Sequence, residues 1–333
     1  MGAVRVTAAD VARVAGVSRS TVSYILNGSN KASFPEATVA KVKDAARMLR
    51  YTPHAAARTL RRGESSVVLA ALQSTPESTS IASLLDELAA AMATRGMSLV
   101  TWTAAPDTDL RTVLRDVTPH VIVELMPLDE DDQSVAQGSG VELVSALPTI
   151  RSGEEAIGEG QVAHLAAHGH RRIGLVTVDE PRLNYFAPLR RAAVEASAAR
   201  HGLAPLETVV LGFPDETTRD QLAEVLREWT SGPDPVTAIA AYNDQFAALT
   251  LSAARHAGLS VPGDLSVIGV DDEPLSAWLE PPLSTVKLDM RSLSTQLAAL
   301  VDDALNDVES RHEIALDAAL VVRQSTGAAR EGS

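Results

Sequence analysis

The chain has 333 residues, 45% of them hydrophobic, with 29 Lys and Arg against 43 Asp and Glu for a formal net charge of −14. That length suits two or three globular units, and that apolar fraction excludes an intrinsically disordered chain. Cysteine is absent, which excludes disulfides, thiolate metal sites and a cysteine nucleophile, and the net charge taken alone argues against a nucleic-acid partner. No stretch reaches ~18 consecutive apolar residues and the N-terminal stretch lacks an apolar h-region, so a soluble, cytoplasmic protein is expected.

The average charge hides a local one. Residues 1–62 hold eleven Lys and Arg against only Asp10, Glu36 and Asp44, a net +8, so the rest of the chain carries −22. A basic arm on an acidic body points to a module that meets a polyanion, with a solvated basic face as the plain alternative.

In chain order, Thr7 stands three residues before Asp10 and ahead of an apolar run, a capping-box pattern for a helix starting near Ala8. Val11, Val14 and Ala15 then form one stripe at i, i+3 and i+4, and Gly16 breaks the helix. Ser18 is placed to cap a second helix over 19–26, with Val22, Ile25 and Leu26 inward and Arg19, Ser20, Ser23 and Tyr24 outward. Asn27-Gly28 is a stop and turn signal, and a third helix over 36–49 carries Val39, Val42, Ala46 and Leu49 on its buried face.

Two short helices joined by a tight glycine-containing turn, with a third closing the core, describe a helix-turn-helix. The second helix of that motif enters the DNA major groove by its N-terminal residues. Arg19, Ser20 and Tyr24 are therefore expected at base edges, and Thr7, Ser18, Asn27 and Lys31 near phosphates. A three-helix protein-interaction bundle is the competing reading.

Residues 51–63 then read Tyr-Thr-Pro-His-Ala-Ala-Ala-Arg-Thr-Leu-Arg-Arg-Gly. Pro53 suits a first helical position and Gly63 a stop, and the short helix between them is marginal by itself. Leu60 is a large apolar residue among cations, suited to wedging into a minor groove when the helix forms on DNA.

With these residues in view, 7–60 resembles the DNA-binding headpiece and hinge helix of the LacI/GalR family of transcriptional regulators. The resemblance implies base-contacting roles for Arg19, Ser20 and Tyr24, and a minor-groove hinge pair in Ala57 and Leu60. His54 stands in the hinge where the family often has Asn, and the loop 27–34 is slightly longer than usual.

From Ser65 onward short apolar runs alternate with amphipathic stretches. Strands are expected at 67–72, 98–102, 121–125, 141–146, 173–178, 209–211, 238–241 and 267–270, and helices at 81–95, 110–117, 155–168, 189–201, 217–229, 245–257 and 290–307. Such alternation means parallel sheets covered by helices, with ligands beyond the carboxyl ends of the strands. Asn243 and Asp271 end two buried runs, where an amide and a carboxylate can hydrogen-bond hydroxyls; the adjoining Asp244 and Asp272 read as caps.

Segments 167–176, 241–248, 261–275, 281–290 and 320–327 are similar to the effector core of the same family. The resemblance implies a periplasmic-binding-protein-like body, two α/β subdomains around a small-molecule cleft, with Asn243 and Asp271 contacting ligand hydroxyls. It also places Gln73 where an aromatic-bearing turn is usual after the first strand. Tyr185, beside Asn184, stands where an effector-contacting Arg is common, so no guanidinium is expected in the cleft.

Three other patterns are decoys. Gly158-x-Gly160-x-x-Ala163 follows a polar segment, not the buried strand a dinucleotide fingerprint needs. His164 and His168 stand at i and i+4 without the Glu between them that a metalloprotease helix needs, and with His170 they suit a helix end. Asp129-Glu-Asp-Asp132 lacks the glycine of a calcium loop and reads as a solvated loop.

The fold class is thus α/β: a helix-turn-helix headpiece (1–52), a hinge helix (53–63) and a two-subdomain core (64–333). The core divides at about 64–148 and 149–285, with the C-terminal segment crossing back. The expected function is that of a DNA-binding transcriptional regulator, a repressor, acting as a homodimer on a pseudo-palindromic operator under control of a small molecule of carbohydrate type. No cofactor, metal, membrane partner or catalysis is expected, and the tail after Thr326 lacks the heptads of a tetramerising coiled coil. The alternative is a cytoplasmic sugar-binding sensor without a DNA-binding role.

Overall fold

A computed structural model describes residues 6–27, 34–51, 65–72, 79–104, 108–306, 308 and 314–330. They fall into two compact units, Met1–Ser66 and Val67–Ser333. The hinge stretch 53–63 and the loop 28–33 lie outside the described residues.

In the first unit, α1 (Ala8–Ala15) opens on the capping box read from the sequence: the Thr7 hydroxyl accepts from the Asp10 N–H, and the Asp10 carboxylate accepts from the Thr7 N–H at 3.0 Å. Hydrogen bonds from Thr7, with Arg13 adding to them, hold the Asp10 carboxyl at about 2. Gly16 ends the helix at φ 66°, the left-handed region a glycine enters without a Cβ penalty. Helices α2 (Arg19–Asn27) and α3 (Glu36–Met48) follow. The core is Val11, Ala12, Val22, Val42, Ala45 and Ala46. Val14 is a correction: it is exposed and Ala12 is buried in its place. Helix α1 packs against both α2 and α3, so its buried face is turned toward two neighbours rather than one.

The second unit contains two sheets. The first has the order β2-β1-β3-β4, from β1 (Val67–Leu72), β2 (Ser98–Thr103), β3 (Val121–Glu124) and β4 (Glu142–Ser145), all parallel. Its helices are α4 (Thr79–Thr94), α5 (Leu110–Val117) and α6 (Glu130–Gly138). Buried on both faces, β1 and β3 are continuous apolar runs apart from Glu124.

The chain leaves this half through α7 (Leu147–Ala167) and builds β5 (Ile173–Val178), α8 (Phe186–Arg200), β6 (Glu207–Leu211), α9 (Glu216–Trp229), β7 (Ala238–Ala241), α10 (Asp244–Ala257), β8 (Ser266–Val270) and β9 (Ser284–Leu288). It then returns. Helix α11 (Met290–Leu305) packs on α4 of the first half, where Arg95 pairs with Asp302 and Arg291 with Glu87. Strand β10 (Ala318–Val321) closes the second sheet antiparallel to β9, in the order β10-β9-β8-β7-β5-β6.

Strands β9 and β10, helix α6 and the first two turns of α7 were not expected. In β9 the buried Ser284 and Thr285 are polar, made tolerable by hydrogen bonds of their hydroxyls to Thr326 and the Arg323 N–H and to Asp244, so no apolar run announces it. The acidic 129–132 stretch is not a loop. Asp129 caps α6, accepting from the Asp132 N–H at 2.8 Å, and the acids that follow suit the positive end of the helix.

The glycines of 158–163 lie inside α7, where they make helix contacts. A Cβ on Gly158 would stand 2.6 Å from the Ala193 backbone of α8, and one on Gly153 would stand 2.5 Å from Leu316. His164 bonds Thr326 at 2.9 Å and His170 bonds Thr237 at 2.8 Å and the Gly327 carbonyl at 3.1 Å, so both anchor the C-terminal segment. Among the described residues no group of three or more side chains could hold a metal, and no helix is long and apolar enough to cross a membrane.

Candidate functional site

Two surfaces carry the polar chemistry, one in each unit. On the first, the Ser18 hydroxyl caps α2 by accepting from the Thr21 N–H at 3.0 Å and shares a hydrogen bond with the Ser20 hydroxyl at 2.7 Å. The next side chains along the helix, Arg19, Ser20 and Tyr24, are exposed, while Val22 points into the core. Thr7, at the start of α1, is exposed as well. The geometry therefore presents one helix end with a cation, a hydroxyl and a phenol, and the same unit also exposes Lys41, Lys43, Arg47 and Arg50. Asn27 closes α2; its side chain, together with Lys31, His54, Ala57 and Leu60, lies outside the described residues.

On the second unit, a cleft of about 980 Å³, mouth included, opens between the carboxyl ends of the two sheets. The first half contributes an aliphatic wall: Leu72, Ile81, Leu84, Leu125 and Met126. Ser80 of the first half and several residues of the second contribute the polar groups. Asn243 follows β7 and caps α10 through its Oδ1, which accepts from the Phe246 N–H at 3.1 Å, a bond that does not use the amide nitrogen. Asp271 follows β8 at φ 101°, a strained conformation for a residue with a Cβ. Its Oδ1 accepts from the Ser80 hydroxyl at 2.9 Å, tying the second half to the start of α4.

Behind these groups Asp244 is a buried organiser, where a simple cap was expected. Its carboxylate accepts from Ser276 at 2.5 Å, Thr285 at 2.6 Å and the Glu273 N–H at 2.8 Å. Burial pushes its carboxyl up to about 6, against those bonds. Gly269 is required opposite it, since a Cβ there would stand 2.1 Å from the Asp244 Oδ1. Asp272 pairs with Arg323 at 2.6 Å and Lys287 at 3.0 Å.

The cleft also holds a guanidinium, against expectation. Arg190 of α8 lines it and donates from Nε and Nη2 to the two Glu154 oxygens, each at 2.7 Å, and from Nη1 to the Tyr242 carbonyl at 2.8 Å. Its guanidinium sits 4.6 Å from the Tyr242 ring centroid. Burial, the largest single effect, lowers the Arg190 pKa, and the charge and hydrogen bonds of Glu154 together with Tyr242 and Asp271 more than offset it. Tyr185, expected at that place, is half-buried and packs edge-on against Phe186 at 5.2 Å. The signal for Arg190 was present in the sequence: with Phe186, Ala193 and Ser197 it falls on the buried stripe of α8, while Arg191 turns outward to Glu195. Gln73 lies outside the described residues.

A family model described as bacterial regulatory proteins, lacI family, matches residues 7–54, and one for a periplasmic binding protein-like domain matches residues 162–326. The chain belongs to the LacI/GalR family of transcriptional regulators. Relatives of this family include the HTH-type transcriptional regulator GalR of Escherichia coli, 29% identical with 88% of each chain covered. MalR of Streptomyces coelicolor is 28% identical with 96% of each covered. Among solved structures, the Lac repressor dimer bound to operator and the anti-inducer ONPF superposes with a TM-score of 0.77 at 24% identity, covering 98% of this chain and all of that one. A complex of the regulator CelR with cellobiose gives 0.63 at 23% identity, covering 96% of this chain and all of that one. As a LacI/GalR-family member, this protein is a sequence-specific DNA-binding transcriptional regulator. Its fold, an N-terminal helix-turn-helix followed by mostly parallel sheets, is the family's.

Proposed function

We propose that this regulator is a repressor that binds a pseudo-palindromic operator as a homodimer and is released or tightened by an uncatalysed small-molecule switch in the cytoplasm. In this reading 1–52 is the headpiece, 53–63 the hinge helix and 64–333 the effector and dimerisation core. Arg19, Ser20 and Tyr24 read base edges, Thr7, Ser18, Asn27 and Lys31 contact phosphates, and His54, Ala57 and Leu60 act at the central minor groove. The Lac repressor relative is a dimer on its operator, and the CelR relative holds a sugar; both support the assignment.

The observation that carries the effector part is the cleft itself, with Asn243 and Asp271 at adjacent strand ends and Asp271 bonded across it to Ser80. A ligand acts only through different affinity for the DNA-competent and incompetent states. A sugar hydroxyl that takes the place of Ser80 on Asp271 supplies such a difference, because it changes what holds the two halves together. In a fluorescence-anisotropy titration on operator DNA, Asn243→Ala and Asp271→Ala should abolish the response to an effector found by thermal-shift screening while sparing binding by the free protein. An effector response retained in both variants places the ligand elsewhere. Leu60→Ala should weaken operator binding far more than non-specific binding; equal losses on both DNAs remove the wedge.

A further inference from the structure

Among the described residues the cleft contains one guanidinium, and its Nε edge is occupied. A guanidinium recognises a carboxylate or phosphate through two parallel N–H donors. In Arg190 the Nε and Nη2 edge is closed on both oxygens of Glu154, and the third nitrogen is on the Tyr242 carbonyl. Both side chains are less than a tenth exposed. Among the described residues the remaining charged group on the cleft is Asp271, a second carboxylate. An anion entering the cleft therefore meets two carboxylates against one cation, whose charge Glu154 already neutralises, so it is held out of water without a net positive partner, which is costly. A neutral molecule meets no such barrier: Asn243 and Asp271 offer partners for hydroxyls, and the Leu72, Ile81 and Leu84 wall offers an apolar face.

We propose that Glu154 is the specificity-determining residue of the cleft: by closing the Arg190 fork it restricts the effector to uncharged, hydroxyl-bearing molecules and excludes phosphorylated and carboxylated ones. This deepens the reading of the cleft as the effector site and rests on it. Glu154 acts on the ligand's charge through Arg190. It lies inside α7, seven residues after the helix begins, so the same helix that joins the two halves also sets the charge of the space between them.

The test uses the full-length chain with inorganic phosphate as probe and thermal unfolding as readout, on wild type, Glu154→Gln and the double variant Glu154→Gln/Arg190→Met. Phosphate contacts with the basic headpiece are common to all three and cancel. Glu154→Gln should gain a saturable stabilisation of about 2–4 °C at phosphate roughly tenfold above its Kd, absent from wild type and from the double variant. A gain no larger than that of the double variant overturns the proposal. A second measurement keeps it falsifiable if Glu154→Gln does not fold: the Arg190 Nε–H resonance of wild type, titrated with phosphate and with glucose 6-phosphate, should not move. A saturable shift of that resonance shows the fork open to anions and overturns the proposal. Retention of a neutral effector by Asn243→Ala/Asp271→Ala protein would instead count against the cleft as effector site, an outcome separate from the phosphate result.

Discussion

The helical unit and the α/β unit hold their charged groups in opposite ways. In the first, Arg19, Lys41, Lys43, Arg47 and Arg50 are exposed over a small aliphatic core, so the chemistry is an outward surface. In the second, Arg190, Glu154 and Asp244 are buried and bonded to one another or to backbone, so the chemistry faces a cleft. A polyanion such as DNA is met by a surface, because its phosphates stay solvated until counterions are released. A small effector is met by a cavity, because its recognition depends on desolvation and fixed partners. The contrast implies that mutations of the exposed cations in the first unit alter affinity with little effect on stability, and that those of the buried charged groups in the second alter stability first.

The largest expected effect tests that contrast in the core. Arg190→Ala leaves Glu154 buried without its partner and should cost about 3–5 kcal/mol in urea unfolding of the α/β unit; a loss below about 1 kcal/mol would mean that the pair is solvated in solution. Gly158→Val forces a side chain into the Ala193 backbone and should cost about 1–3 kcal/mol by overpacking, read by the same denaturation. On the other side, Arg19→Ala should relax base preference at one position per half-site by about 1–3 kcal/mol, with an unchanged unfolding midpoint. An unaltered profile in a randomised-operator selection would remove Arg19 from the base edge.

Thr7→Ala, which deletes half of the capping box, should destabilise the helical unit by about 1 kcal/mol and leave the core transition where it is. Calorimetry that shows both transitions shifted would join the two units energetically. Two further effects are in pH. Burial, with the charges of His168 and His170, lowers His164 to about 4 from an ordinary 6.5. Its contribution to stability is therefore lost as pH falls from about 6.5 to about 4, and His164→Gln should flatten that limb. Asp244, raised to about 6 from 3.8, has the opposite sign. It destabilises as pH rises from about 4 to about 6, and Asp244→Asn should remove that loss. Stability measured across pH 4–7 with no change of slope in either variant would contradict the burial of both groups.

How far each unit was legible in the sequence follows from the same contrast. Capping, turn chemistry and a 3.6-residue stripe are local, and they placed α1, α2 and α3 and the outward side chains of α2. The strands β1, β5 and β7 were legible because a strand buried on both faces is an uninterrupted apolar run. Strand β9 was not, because the hydroxyls of Ser284 and Thr285 are buried with partners brought from residues 326 and 323 and from residue 244. The exposed Val14 shows the same limit on a smaller scale: the stripe gave a helix, and the packing of two neighbours chose its face.

The acidic total of −14 is the sum of a basic headpiece and an acidic core, and the sequence alone resolved it, because charge is counted along the chain. Sequence also determined the helix-turn-helix, the alternating strand and helix pattern, and the two strand-end residues Asn243 and Asp271. Tertiary structure decided the rest. It returned α11 to the first half, brought Ser80 to Asp271 and closed Arg190 on Glu154. The physical reason is separation: these partners stand 36 to 191 residues apart, and a side chain's charge can be read from its letter, whereas whether that charge is free or already paired depends on what folding places beside it.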